Sequence, residues 1–249
     1  MPDDVIIQVH ILNNHSDIRV PNIYRSGVNV IDNQARPDFS TGHLSRNWNQ
    51  AIINGFKNLN TPDCDVVICS QDDSVFKKDW ITKLKKWILD YDFIHGGHGD
   101  QFHAYTTNHI RKVGLWDERF CGLSRQAADY FLRSVAFNPN KTTIQDINHN
   151  RVYNPINPDN LEASRAFFVD PDVRQIDTVW DNTQDNNDKI SIDLMMEKYG
   201  VDPYPWTDMS KWIKKAFDGT IFKTDNYITY PYFEKDIFNL GEKRYVGYK

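Results

Sequence analysis

DVVICSQDDSVF, residues 65–76, is an apolar run that ends at two adjacent acids, Asp72 and Asp73. Val66, Val67 and Ile68 are β-branched and follow the turn-forming TPDC of residues 61–64, so the run predicts a short strand buried on both faces, as strands of parallel sheets are. The acids then stand at its carboxyl end, where open α/β sheets place their ligands. Two carboxylates about 4 Å apart repel by roughly 4 kcal/mol at an effective dielectric near 20, so a converging pair calls for a cation or a raised pKa. Unconverged, the same pair is an ordinary solvated turn.

Upstream, residues 5–12 (VIIQVHIL) predict a first strand that breaks at the polar cluster beginning with Asn13. Residues 28–31 predict a second, ended by Asp32 and Asn33. From Leu44, apolar residues at 48, 51, 52, 55, 56 and 59 have helical spacing, with Ser45 as the expected N-cap. Downstream of the acids, Asp79 is placed to cap a helix carrying Trp80, Ile81, Leu84, Trp87 and Ile88 on one face. Tyr91, Phe93 and Ile94 predict another strand, followed by Gly96, Gly97, His98 and Gly99, a loop that bends sharply or lets a ligand approach the backbone. A helix is expected over 125–135. Beyond residue 138 the Asn- and Pro-rich sequence predicts a long irregular segment, then helices near 190–199 and 208–217 and an aromatic tail over 221–249. Strands alternating with helices in this order define an α/β domain with a mostly parallel sheet.

The 249 residues suffice for one large α/β domain, and 40% hydrophobic with 25% charged residues describes a folded chain rather than a disordered one. A net charge of -5 with no basic tract argues against nucleic-acid binding. No apolar run reaches the length of a membrane span, and the acidic start MPDDV lacks the positive charge of a signal peptide. Cys64, Cys69 and Cys121 match no zinc spacing and fit a reducing compartment, so a cytoplasmic protein is expected. Neither GxGxxG nor GxxxxGK[ST] occurs, which excludes the ordinary dinucleotide and P-loop sites.

Taken as an ordered set, VIIQVHILNN (5–14), NVIDNQ (29–34), TGHLSRNWNQAI (41–52), DVVICSQDDSVFKKDW (65–80), RKVGLWDERF (111–120) and AADYFLR (127–133) resemble the GT-A type nucleotide-sugar glycosyltransferases. The nearest relation is to their broad family-2-like group, over roughly residues 5 to 150. The resemblance implies a single GT-A, Rossmann-like domain over 1–220, with a nucleotide-binding half at 1–100, an acceptor half at 101–220 and a C-terminal tail at 221–249 packed on it. It implies transfer of a sugar from a UDP- or GDP-linked donor to a carbohydrate or glycoprotein hydroxyl, assisted by Mn²⁺ or Mg²⁺. Asn13, Asp32, Arg46, Asn49, Gln71 and Asp72 are then expected at the nucleotide, and Asp73 and His149 at the metal. Gln71 stands where the family often has the first acid of its DxD triplet, so charge for the metal rests on Asp73 with Asp72 in support.

Asp129, four residues before Arg133, matches the last acid of the family's EDxD-like run, while Gln126 and Ala127 replace its acidic pair. Asp129 is therefore the expected base for an inverting reaction. Retaining chemistry, or a base at Asp117 or Asp100, remains an alternative, and a plain ion pair with Arg133 is the structural counterpart. His98 and His103, flanking the Gly-rich loop, are further candidates for donor or acceptor contact. Two other readings stay open: a non-catalytic relative that binds sugar or a partner, favoured by Gln126 and Ala127, and a sugar nucleotidyltransferase. The latter needs a Gly-rich basic loop that residues 12–27 lack.

Overall fold

The computed structural model describes residues 4–13, 28–32, 44–70, 80–96, 102–120, 125–138, 178–202, 211–212 and 215–216. These form a mixed α/β arrangement with two small sheets. Strands β1 (Val9–Asn13) and β2 (Val28–Asp32) pair in parallel, with Val9 opposite Val28 and Asn13 opposite Asp32. The first strand starts later than its apolar run: Ile6 lies outside β1 and is exposed.

Helix α1 (Leu44–Phe56) turns Trp48, Ile52 and Phe56 inward with Ser45 and Asn49. This is the i, i+4 stripe of its sequence, each large side chain contributing about 1.5–3 kcal/mol on burial. Ser45 is not its cap: the helix already begins at Leu44, and the buried Ser45 hydroxyl donates to Gln126 Oε1 at 3.3 Å. The helix stops where Lys57 takes a left-handed φ of 54°. Asn58 Oδ1 then accepts from the backbone N–H of Asn60 and Thr61, and Leu59 returns to the core.

The second sheet holds β3 (Val67–Ser70), β4 (Phe93–Gly96) and β5 (Phe102–Tyr105) in the order β3-β5-β4, both pairings antiparallel. Against the expectation of a mostly parallel mixed sheet, the pairings described in this sheet are antiparallel, while β1 and β2 pair in parallel. β3 and β4 do run the same way, joined across α2 (Trp80–Asp90), but β5 lies between them in the opposite sense. The reason is connection length: residues 97–101 suffice for a hairpin, whereas a parallel return needs a dozen residues or more. Strand β5 and the short helix α3 (Thr107–Val113), capped by the Thr106 hydroxyl on His109 N–H, are absent from the sequence-based expectation.

Alternation divides this sheet cleanly. Val67, Cys69, Phe93 and Tyr105 join the core formed with α1 and with α4 (Arg125–Phe137). Ile94, Phe102 and Ala104 instead pack with Leu84 and its helix α2. Contact between α1 and β3 is close at Gly55, where an added Cβ would lie 2.4 Å from Val67 Cγ2. Helix α5 (Thr178–Tyr199) extends well upstream of the expected 190–199, over residues predicted to be irregular, and ends where Gly200 adopts a φ of 70°. Leu194 and Met195 of α5 and Ala216 belong to the same core as Trp48 and Trp116, so the described parts of both expected halves share one interior. Residues 211, 212, 215 and 216 are helical, within the expected 208–217; the 221–249 tail lies outside the described residues. Among those residues, no helix is long and apolar enough to cross a membrane.

Candidate functional site

Segments far apart in sequence meet beside α1. Asn49 uses its whole amide: Nδ2 donates to Trp116 O at 2.9 Å and to Glu118 Oε1 at 2.8 Å, while Oδ1 accepts from Trp116 N–H at 2.7 Å. Arg46, one turn earlier, donates from Nε to Glu118 Oε2 at 3.1 Å. Its side chain is 31% exposed against 1% for Glu118, so the cluster's arginine end faces outward. Trp116 is held from the other side, its indole N–H on Tyr105 OH at 3.0 Å and its ring stacked on Tyr130 at 4.2 Å.

A second, largely buried group lies between segment 114–120, α4 and the end of α5. Arg119 grips Asp117 through Nε and an Nη. Arg133 Nε donates to Asp129 at 2.8 Å and its Nη1 to the backbone oxygens of Val113 and Leu115. Lys198 bridges the two acids, 2.9 Å from Asp117 Oδ2 and 2.5 Å from Asp129 Oδ1, and the Tyr199 hydroxyl also donates to Asp129. Arg125 pairs with Asp202 at 2.9 Å, tying α4 to the residues after α5.

This environment decides what Asp129 can do. Burial alone would raise its pKa, but the charges of Arg133 and Lys198 and the donors on its oxygens outweigh that, leaving it below the ordinary carboxylate value. A fully buried carboxylate held ionised by two cations is a weak proton acceptor, and the ion pair with Arg133 that the i, i+4 spacing predicts is the role its contacts display. Tyr199 is driven the other way, burial first and then the adjacent Asp129 charge holding its phenol protonated well above the usual range.

Of the other expected residues, Arg46 and Asn49 are brought together, on Glu118, which sequence reasoning missed along with Lys198. Asn13 and Asp32 are opposite one another at the carboxyl ends of the parallel strands β1 and β2. Gln71, Asp72, Asp73, His149, His98 and Asp100 lie outside the described residues. The clustered acids do not fit a divalent cation, since Asp117, Glu118 and Asp129 are each already bound by Arg or Lys, and no group of three His, Cys, Asp or Glu side chains among the described residues is arranged to hold one. Among the described residues, Cys64 and Cys69 are free thiols. His103 sits in the core, not at a surface loop. Compared with family models, curated proteins and solved structures, the chain matches none.

Proposed function

We propose that the protein is a glycosyltransferase that moves a sugar from a UDP- or GDP-linked donor to a hydroxyl of a carbohydrate or glycoprotein acceptor. The observation that carries this reading is the meeting of three of the resembling segments: Arg46 and Asn49 of TGHLSRNWNQAI on Glu118 of RKVGLWDERF, and Arg133 of AADYFLR on the carbonyls of Val113 and Leu115. On this reading Asn13 and Asp32 receive the nucleoside, whose ribose hydroxyls suit an amide and a carboxylate at adjoining strand ends. Arg46, the outward cation of its cluster, offsets phosphate charge on the donor. Asp129 fixes α4 against segment 114–120. The proton of the acceptor hydroxyl goes to another carboxylate, for which Asp100 remains the candidate. The expected Mn²⁺ or Mg²⁺ belongs with Asp73 and His149 rather than with the described acids.

Calorimetry with UDP and GDP, with and without Mn²⁺, tests this. Metal-enhanced binding to one of them, abolished by Asp73→Ala in a folded variant, is expected; no binding of either nucleotide defeats the proposal. A second reading, a relative that binds without catalysis, is favoured by one feature: Gln126 and Ala127, in place of the family's acidic pair, are each 1% exposed, with Gln126 bonded to Ser45. Nucleotide binding with neither donor hydrolysis nor transfer would mark that case.

A further inference from the structure

His103 of β5 is fully buried, and among the described residues neither ring nitrogen has a hydrogen-bond partner. Such a group is uncommon in a packed core, where buried polar atoms are nearly always satisfied. Its ring lies between Trp48 at 6.0 Å, edge-on, and Trp116 at 5.2 Å. Trp48 is the neighbour of Asn49 in α1, and Trp116 gives both its backbone groups to the Asn49 side chain. The imidazole therefore touches both halves of the Asn49–Trp116 clamp. We propose that His103 is an acid-operated latch on this site: when its ring takes up a proton, α1 and segment 114–120 separate and the clamp opens.

The titratable groups around it offer a proton no counter-charge. Cys69 is its register partner on β3, and burial keeps that thiol protonated far above the usual range. His95 faces it from β4 at 5.5 Å, and Tyr105 lies on its own strand at 6.1 Å. His109 of α3 also acts on it electrostatically; α4 contributes the apolar Phe131 at 5.8 Å. Among the described residues no carboxylate touches the ring. Burial first, then His95 and His109, hold its pKa well below the ordinary histidine value. Once the clamp is open, the ring regains an ordinary affinity near pH 6.5. The open form thus binds more protons, and its population rises about tenfold for each pH unit below about 6.5.

The latch does not depend on the transferase reading, because it is measured by amide protection and ring protonation rather than by turnover. Hydrogen exchange should show the Trp116 amide protection factor falling about tenfold per unit between pH 6.5 and 5, while the amide of Trp87 in α2, on the far face of the sheet, falls less. His103→Phe and His103→Leu should each remove the pH dependence at Trp116. An equal fall in either variant, no fall in the native protein, or a parallel fall at Trp87 overturns the proposal. If neither variant folds, NMR of the native histidine rings decides: a His103 ring that titrates near pH 6.5 while Trp116 stays protected overturns it, and a ring still neutral at pH 5.5 in the closed form upholds it.

Discussion

At the scale of single residues, Asn49 joins α1 to segment 114–120 through three side-chain hydrogen bonds, two to the Trp116 backbone and one to Glu118. Truncation to alanine strands the buried Trp116 N–H and C=O and takes a donor from the Glu118 carboxylate. Such losses cost about 1–3 kcal/mol per unsatisfied group, so Asn49→Ala should lower unfolding stability by about 3 kcal/mol in urea titrations. A loss below about 0.5 kcal/mol would show that the clamp contributes little. Asp129→Asn keeps an acceptor and removes the charge, leaving Arg133 buried without its counter-ion. Breaking a buried pair from one side costs about 3–5 kcal/mol, and the lower end is expected because Lys198 retains Asp117. Turnover preserved in folded Asp129→Asn would confine that residue to anchoring, and turnover abolished without loss of stability would restore it as a base. Legibility at this scale followed sequence distance. The Asp129–Arg133 pair is an i, i+4 spacing and can be read from the chain. Glu118 under Arg46 and Lys198 between two acids are long-range meetings that periodicity does not encode.

Among elements, α1 and β3 illustrate how local preference and packing compete. Gly55→Ala improves helix propensity by about 1 kcal/mol, yet the new methyl would collide with the stiff Val67 side chain. Overpacking of that kind costs about 1–3 kcal/mol, so the substitution should destabilise the protein in thermal unfolding. The double variant Gly55→Ala, Val67→Ala should show a favourable coupling, and strict additivity would mean the contact is already relaxed. Where apolar residues repeat with one period, as in α1, α2 and α4, elements were readable within a few residues. β5 was not, since FHAY is four residues long and carries a histidine. Nor was the first half of α5, because TVWDNTQDNND has no apolar stripe. The parallel sense of β3 and β4 was legible, but not the strand inserted between them.

For the molecule as a whole, two buried groups of opposite habit predict a two-stage response to acid. His103 has a depressed native pKa, so its contribution is complete above about pH 6.5 and declines as pH falls below that value. Asp129 is also depressed, so its contribution is complete above about pH 4 and is lost only as pH drops through its lower native value. Unfolding free energy measured from pH 8 to 3 should therefore descend first through one window and then another. His103→Phe should flatten the upper stage alone. A single descent confined to below pH 4 would contradict the assignment to His103.

Placing β5 between two co-directional strands also orders the events of folding. Among the described strands β3 pairs in this sheet with β5 alone, and the β4–β5 hairpin closes a far shorter loop than the register contact between Ser70 and Phe102. Local closure is kinetically favoured, so the hairpin forms a template onto which β3 is added later. Conservative truncations at Ile94 and Ala104 should consequently slow refolding, with high φ-values, whereas truncation at Ile68 should mainly speed unfolding.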